Sequence, residues 1–276
     1  MQNSSLSQIV SNELYISNSQ INTYLNCSLR YRFHYVENLP PERVSIGLAF
    51  GSSIHGAVEL FYRTLKNQGR IEPIKGLWDR FEDCLHLELD NTDVPVIYKR
   101  DMPDRLSAIE MGKGLIETFH GSIDLNGFEI VDVELPLMTQ LYDNQRQPLN
   151  YKIFGILDLV LRDEKGELLV VDVKTSSKSM SQSTADSDFQ MTCYSILLAS
   201  KKYIFPTAPV RCRFDILRKL KQQKLEQVYT TRTAEDRKRF CKIAGRVLEA
   251  ISSGIFVPQP GWMCADCGYQ NACKKW

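Results

Sequence analysis

Long apolar runs are missing from this sequence: none approaches the ~18 consecutive residues of a membrane-crossing helix. The stretch at residues 1–10 is Ser-rich and polar, without the charged-then-apolar design of an export signal, so the chain is expected to be soluble and cytoplasmic. An excess of one charge is missing too, since 34 Lys and Arg stand against 33 Asp and Glu. A polyanionic ligand would have to be held by a local patch, not by a whole-molecule field. There is no Gly-x4-Gly-Lys-Ser/Thr loop, which excludes ATP hydrolysis by the P-loop route. Internal repeats, low-complexity tracts and long Gly/Ser/Pro linkers are also absent. The 276 residues, 43% hydrophobic, therefore read as one compact unit, 1–276.

Cysteine is what the chain has in quantity, with eight residues. A disulfide framework suits small secreted scaffolds, not a chain of this length without an export signal, so the thiols are expected to be reduced. The run Cys264-Ala-Asp-Cys267-Gly-Tyr-Gln-Asn-Ala-Cys273 contains a Cys-x-x-Cys spacing, which brings two thiolates to one soft metal centre without backbone strain. Zinc or an iron–sulfur cluster would need a fourth ligand. Cys27, in Tyr24-Leu-Asn-Cys27-Ser-Leu-Arg-Tyr31, is the best placed, and its use would require the two ends of the chain to meet. Cys84, Cys193, Cys212 and Cys241 lie inside apolar periodic segments and read as structural.

Ser19 is placed to cap a helix over 19–36, and helical spacing of apolar residues predicts further helices over 48–66, 74–89 and 104–119. Segments 128–141, 152–162 and 167–174 are rich in Val, Ile and Leu and read as three consecutive strands. The last two are joined by Asp163-Glu-Lys-Gly166, with glycine where positive φ is tolerated. A helix over 188–201, strands over 210–217 and 225–231, and a helix over 234–252 with Gly254 beyond it complete the pattern. The expected class is α/β, a mixed central sheet flanked by helices. Its parts are a mainly helical region (19–120), an α/β core (127–231) and a C-terminal helix with the cysteine segment (232–276).

Within that core, Asp172 and Lys174 are two apart on a strand and so share a face. Asp158, in the apolar run Gly155-Ile-Leu-Asp158 of the preceding strand, counts back from the loop to a cross-strand position beside Asp172. Two neighbouring carboxylates repel unless a cation lies between them, and Mg²⁺ or Mn²⁺ prefers such oxygen ligands. An Asp–Lys ion pair at a strand end is the plainer alternative. The interleaved Tyr24, Arg30, Tyr31, Arg32, Phe33, His34 and Tyr35 fit either stacking on a single nucleic-acid strand or the packed side of an amphipathic helix.

Four signatures occur in order: Gly51-Ser-Ser-Ile-His55, Gly155-Ile-Leu-Asp158, Asp172-Val-Lys174-Thr175 and Gln190-Met-Thr-Cys-Tyr194. With the early cysteine and the late Cys-x-x-Cys-x5-Cys, the chain resembles the PD-(D/E)XK phosphodiesterases. Within them it is similar to the RecB-type nucleases, which include the AddB nuclease domain and the CRISPR-associated adaptation nucleases. The resemblance implies a Mg²⁺- or Mn²⁺-dependent deoxyribonuclease acting on single strands or free DNA ends. It implies His55, Asp158, Asp172 and the carbonyl of Val173 as metal ligands, Lys174 as the catalytic lysine, and Gln190 and Tyr194 on the helix facing the site. It further implies a [4Fe–4S] cluster on Cys27, Cys264, Cys267 and Cys273, and a helicase or a recombination or adaptation protein as partner. Glu134 and Glu59 are further carboxylates near these motifs. A non-catalytic binding module and an RNA-cutting phosphodiesterase are the competing readings.

Overall fold

Runs of Val, Ile and Leu alternating along extended backbone build the centre of the molecule. The computed structural model describes residues 14–143, 145 and 147–276, so the polar stretch at residues 1–10 lies outside the described residues. The chain runs β1 (Tyr15–Ser17), α1 (Asn18–Asn26), α2 (Ser28–Tyr31), a π-helical turn (Arg32–Val36), β2 (Val44–Ser45), α3 (Ile46–Gln68), α4 (Ile74–Asp90), β3 (Val96–Ile97) and α5 (Arg105–Ser122). It continues β4 (Phe128–Tyr142), β5 (Pro148–Asp163), β6 (Leu168–Ser176), α6 (Gln182–Ser187), α7 (Phe189–Ser200), β7 (Val210–Arg218) and β8 (Lys224–Arg232). Helix α8 (Ala234–Ser252), a 3-10 turn (Trp262–Cys264) and α9 (Gln270–Lys275) close it.

Strands β1 and β4 to β8 form one mixed sheet, and β2 pairs with β3 apart from it. Strands β4, β5 and β6 follow one another antiparallel, as their loop lengths require. Gly166, at φ 82, closes the β5–β6 turn in a conformation that would strain a residue bearing a Cβ. The crossover through α6 and α7 makes β6 and β7 parallel. Side chains of one sheet face, such as Val160, Val170 and Phe214, pack under α1, α7 and α8; those of the other, such as Leu161, Leu169 and Val171, pack under α3, α4 and α5. Each such side chain contributes roughly 1.5–3 kcal/mol by burial.

The expected fold class is the observed one. The helix expected over 19–36 is instead broken at Cys27, whose backbone is extended at φ −165 and ψ 102. Its cap is Ser17, which accepts from the Gln20 N–H, while Ser19 lies inside α1. Strand β1 and helices α6 and α9 are too short for periodicity to reveal.

Candidate active site

Strands β5 and β6 pair only from Leu159↔Val171 to Arg162↔Leu168, whereas β6 stays with β7 as far as Ser176↔Arg218. On the same edge of β5, β1 pairs from Tyr15↔Lys152 to Ser17↔Phe154. Among the described residues no strand pairs with that edge between these two stretches. The next pair in the interrupted register would be Asp158 with Asp172, so the cross-strand neighbours expected from the sequence stand where their strands part. The Asp158 carboxylate spans the opening: its Oδ2 accepts the Val173 N–H at 2.9 Å and lies 3.4 Å from His55 Nδ1. A strand residue's N–H and C=O point to the same side, so the Val173 carbonyl faces the opening as well.

Opposite Asp158, β4 is distorted. Register passes from Val133↔Leu159 to Leu135↔Leu157 across Glu134, whose φ is 50. A left-handed non-glycine residue inside a strand is strained, and here it coincides with a change in the core that the strand faces, a change β5 shares between Leu159 and Leu157. Val133 belongs to the core under α3, whereas Leu135, two residues on, packs against the core under α7. Side-chain atoms of His55, Glu134 and Asp158 lie within 4.8 Å of one another, a group able to hold a metal ion. Burial, then the charges of Asp158 and Glu59, push the Glu134 carboxyl up to about 8. Excess negative charge confined at one point is what a divalent cation relieves. Glu59 itself pairs with Arg63 at 2.6 Å.

Asp172 is fully buried and Lys174 half-buried beside it, with Lys174 Nζ 2.8 Å from Asp172 Oδ2 and donating to Oδ1 at 3.1 Å. Lys174 also donates to Gln190 Oε1 at 2.9 Å, and Gln190 Nε2 donates to the Tyr194 hydroxyl at 2.6 Å. Burial pushes Asp172 up to about 6 against the opposing pull of Lys174. Burial alone would lower Lys174, but Asp172 and Asp158 outweigh it and hold the ammonium above its ordinary range. Helix α7 reaches this chain of contacts because β5 has glycine beneath it: a Cβ at Gly155 would stand 2.9 Å from Leu197 Cδ1. Asp188, not expected as a site residue, caps α7 by accepting from the Gln190 and Met191 N–H groups. An N-cap aspartate before a helix is the signal that could have found it.

These contacts join an imidazole, three carboxylates, a lysine and an amide at one break in a sheet. A family model described as the PD-(D/E)XK nuclease superfamily matches residues 15–274. The chain belongs to that superfamily. The crystal structure of a "Putative exonuclease" from Eubacterium rectale is similar in fold, with a TM-score of 0.57 and 12% identity, covering 96% of this chain and 89% of that one. The crystal structure of SSO0001 is 14% identical over 92% of this chain and 97% of that one, with a TM-score of 0.32. No curated protein matches.

The two ends of this PD-(D/E)XK chain do meet. Cys27, Cys264, Cys267 and Cys273 line one small cavity of about 60 Å³ together with Leu29, Phe33 and Tyr269. All four are free thiols. Leu29 N–H donates to the Val257 carbonyl at 3.1 Å, and Val257 N–H donates to Ser28 Oγ at 2.8 Å. The extended backbone at Cys27 thus turns its thiol out of the helix toward the C-terminal segment. Burial, then repulsion from the other three thiols, raises the Cys273 thiol, a set that a cationic centre would stabilise. Cys84, Cys193, Cys212 and Cys241 lie elsewhere, and Cys193 and Cys212 are buried in the core.

The aromatic-basic stretch divides. Tyr24 and Tyr31 are buried in the core under α7 and α8, and Phe33 is buried beside the thiols, so these three pack and cannot serve as stacking platforms. Tyr24 also donates its hydroxyl to the Ile255 carbonyl at 2.6 Å. Tyr35 is half-buried and Arg30 exposed. Among the described residues no helix is long and apolar enough to cross a membrane.

Proposed function

We propose that this chain is a Mg²⁺- or Mn²⁺-dependent deoxyribonuclease that cuts single strands or DNA ends inside the cell, in repair, recombination, adaptation or mobile-element processing. The observation that carries this reading is the parting of β5 and β6, which leaves Asp158 facing His55 and Glu134 on one side and the Asp172–Lys174 pair on the other. His55, Glu134, Asp158, Asp172 and the Val173 carbonyl would hold the cation. When bound, it supplies Lewis acidity toward a phosphoryl oxygen and a more acidic water.

The protein's own groups do the positioning. Lys174 presents a fixed ammonium where negative charge grows during attack on a phosphodiester, and Asp172 and Gln190 hold it there. Tyr194 anchors Gln190 from inside the core, so the lysine is steered from two directions. Asp158, tied to the Val173 N–H, keeps its remaining lone pairs aimed into the opening.

The four thiols would hold a [4Fe–4S] cluster that staples the chain ends. Cys27 lies more than two hundred residues from Cys264, Cys267 and Cys273, whereas the ligands of a zinc knuckle are local in sequence. With no P-loop in the chain, unwinding of a duplex falls to a helicase partner.

The direct test offers labelled single-stranded DNA, duplex DNA and RNA to the purified protein with Mg²⁺ and with Mn²⁺. Cleavage of single strands or ends of DNA is expected. Binding without cleavage under every condition makes the chain a non-catalytic module, and preference for RNA changes the substrate.

A further inference from the structure

Two cavities flank α1. The first, about 390 Å³, is bounded by Tyr15, Tyr35 and Phe154 and reaches Gln190 and Tyr194. The second, about 290 Å³, runs past Asn22, Asn26 and Arg30 to Cys27, Cys264 and Cys267. Both are lined by Asn18, Ser19 and Gln190, so they adjoin at the start of α1. We propose that together they form one groove that carries a single strand of nucleic acid from the Lys174 centre, along α1, toward the thiol pocket. The proposal rests on the nuclease reading for the end at which cleavage occurs.

The chemistry of the lining selects this occupant. Tyr15, Tyr35 and Phe154 are half-buried and line the first cavity, and a base must be unstacked from its neighbours, as in a single strand, to lie on such rings. The second cavity offers the amides of Asn22, Asn26 and Gln259 and the hydroxyl of Thr23, with Arg30 as its cation. Amides and hydroxyls donate to phosphate oxygens and also bond to base edges, which suits a backbone and its bases lying in one channel. Asn18, at the junction, has its side-chain oxygen buried without a hydrogen-bond partner. A small rotation of that amide toward either cavity exchanges an unsatisfied acceptor for a ligand contact. Gln190 is common to both cavities and donates to Tyr194 while accepting from Lys174, so a strand in the groove touches the residue that holds the lysine.

The test uses the full chain with its thiol-bound metal and fluorescein-labelled oligo-dT and oligo-rU of increasing length, read by anisotropy in EDTA so that nothing is cut. Affinity should rise with length until the groove is filled, and the better-bound sugar identifies the strand. Tyr35→Ala should weaken binding about tenfold, as loss of one stacking ring does. Asn22→Asp with Asn26→Asp, near-isosteric and outside the core, should weaken it likewise, whereas Asn22→Lys should strengthen it and steepen its salt dependence by about one counterion. Unchanged binding in Tyr35→Ala and in the double variant, or no sign reversal with lysine, overturns the groove. Hydrolysis of bis(p-nitrophenyl) phosphate with Mn²⁺ needs the metal centre and Lys174 but no strand in the groove, and should be unaltered in all three. Failure of the wild-type protein on that diester removes the nuclease reading, while strand binding still judges the groove.

Discussion

Glu134, Asp158 and Asp172 stand on three neighbouring strands and are fixed by ladder register and by hydrogen bonds such as Val173 to Asp158. Cys27 and Cys273 come from opposite ends of the chain and are brought together by loop contacts. Glu42 accepts the Asn271 and Ala272 N–H groups at 3.0 and 3.1 Å, and Ser28 joins Val257. The oxygen-rich centre therefore inherits its geometry from the hydrophobic sheet. The thiol pocket rests on a small cluster of Leu29, Phe33 and Tyr269 and has far less apolar burial to hold it. Site precision and chain closure are separate problems here, solved with different means and, on our reading, with different metals.

The sharpest way to separate the two regions is chelation. EDTA should abolish cleavage and Mn²⁺ restore it, while the visible absorbance of the thiol centre near 400 nm persists, roughly as for thiolate-bound iron. Simultaneous loss of both would mean that the regions share one metal. Next, Lys174→Ala and Asp172→Asn should each lower the initial rate on single-stranded DNA by about 10²-fold or more, as removal of one electrostatic stabiliser does. Near wild-type turnover in either folded variant would falsify the assigned site.

A smaller effect on chemistry, but a large one on integrity, is expected at the other end. Cys27→Ser should lose bound metal as fully as Cys267→Ser, and both should become protease-sensitive in the C-terminal segment. Bis(p-nitrophenyl) phosphate hydrolysis should fall only severalfold, because the sheet does not depend on the closure. Metal content unchanged in Cys27→Ser would break the four-thiol assignment.

The mildest prediction concerns pH. The Glu134 carboxyl is raised to about 8 in the fold, from an ordinary value of 4.5. The native state therefore binds a proton that the unfolded chain has lost, and stability from this group, fully present below about pH 4.5, declines as pH rises through about 8. Glu134→Gln should flatten that decline in metal-free protein, measured as urea midpoints at pH 5 and pH 8. Parallel slopes for wild type and variant would show that Glu134 is ionised throughout.

The legible part of this molecule was carried by repetition. Apolar spacing placed α3 and hence His55, and counting back from Gly166 set Asp158 against Asp172. Glu134 was legible only as a strand glutamate, because its role depends on one left-handed residue that no alternation pattern announces. The break at Cys27 was equally hidden, since a helix-forming stretch is interrupted there by a contact with residues more than two hundred positions away. Tyr24, Tyr31 and Phe33 could be read as exposed or packed until the loops covering them were in place.

A sheet ordinarily works as a wall, and side chains from helices on its two sides never address the same atoms. Where β5 leaves β6 the wall has a doorway. His55 enters from the α3 side, Gln190 from the α7 side, and Asp158 stands on the threshold between them. Repacking in either of the two cores can thus be felt at one point of chemistry without passing through the other, which makes the doorway the natural place for changes in distant layers to tune a single reaction.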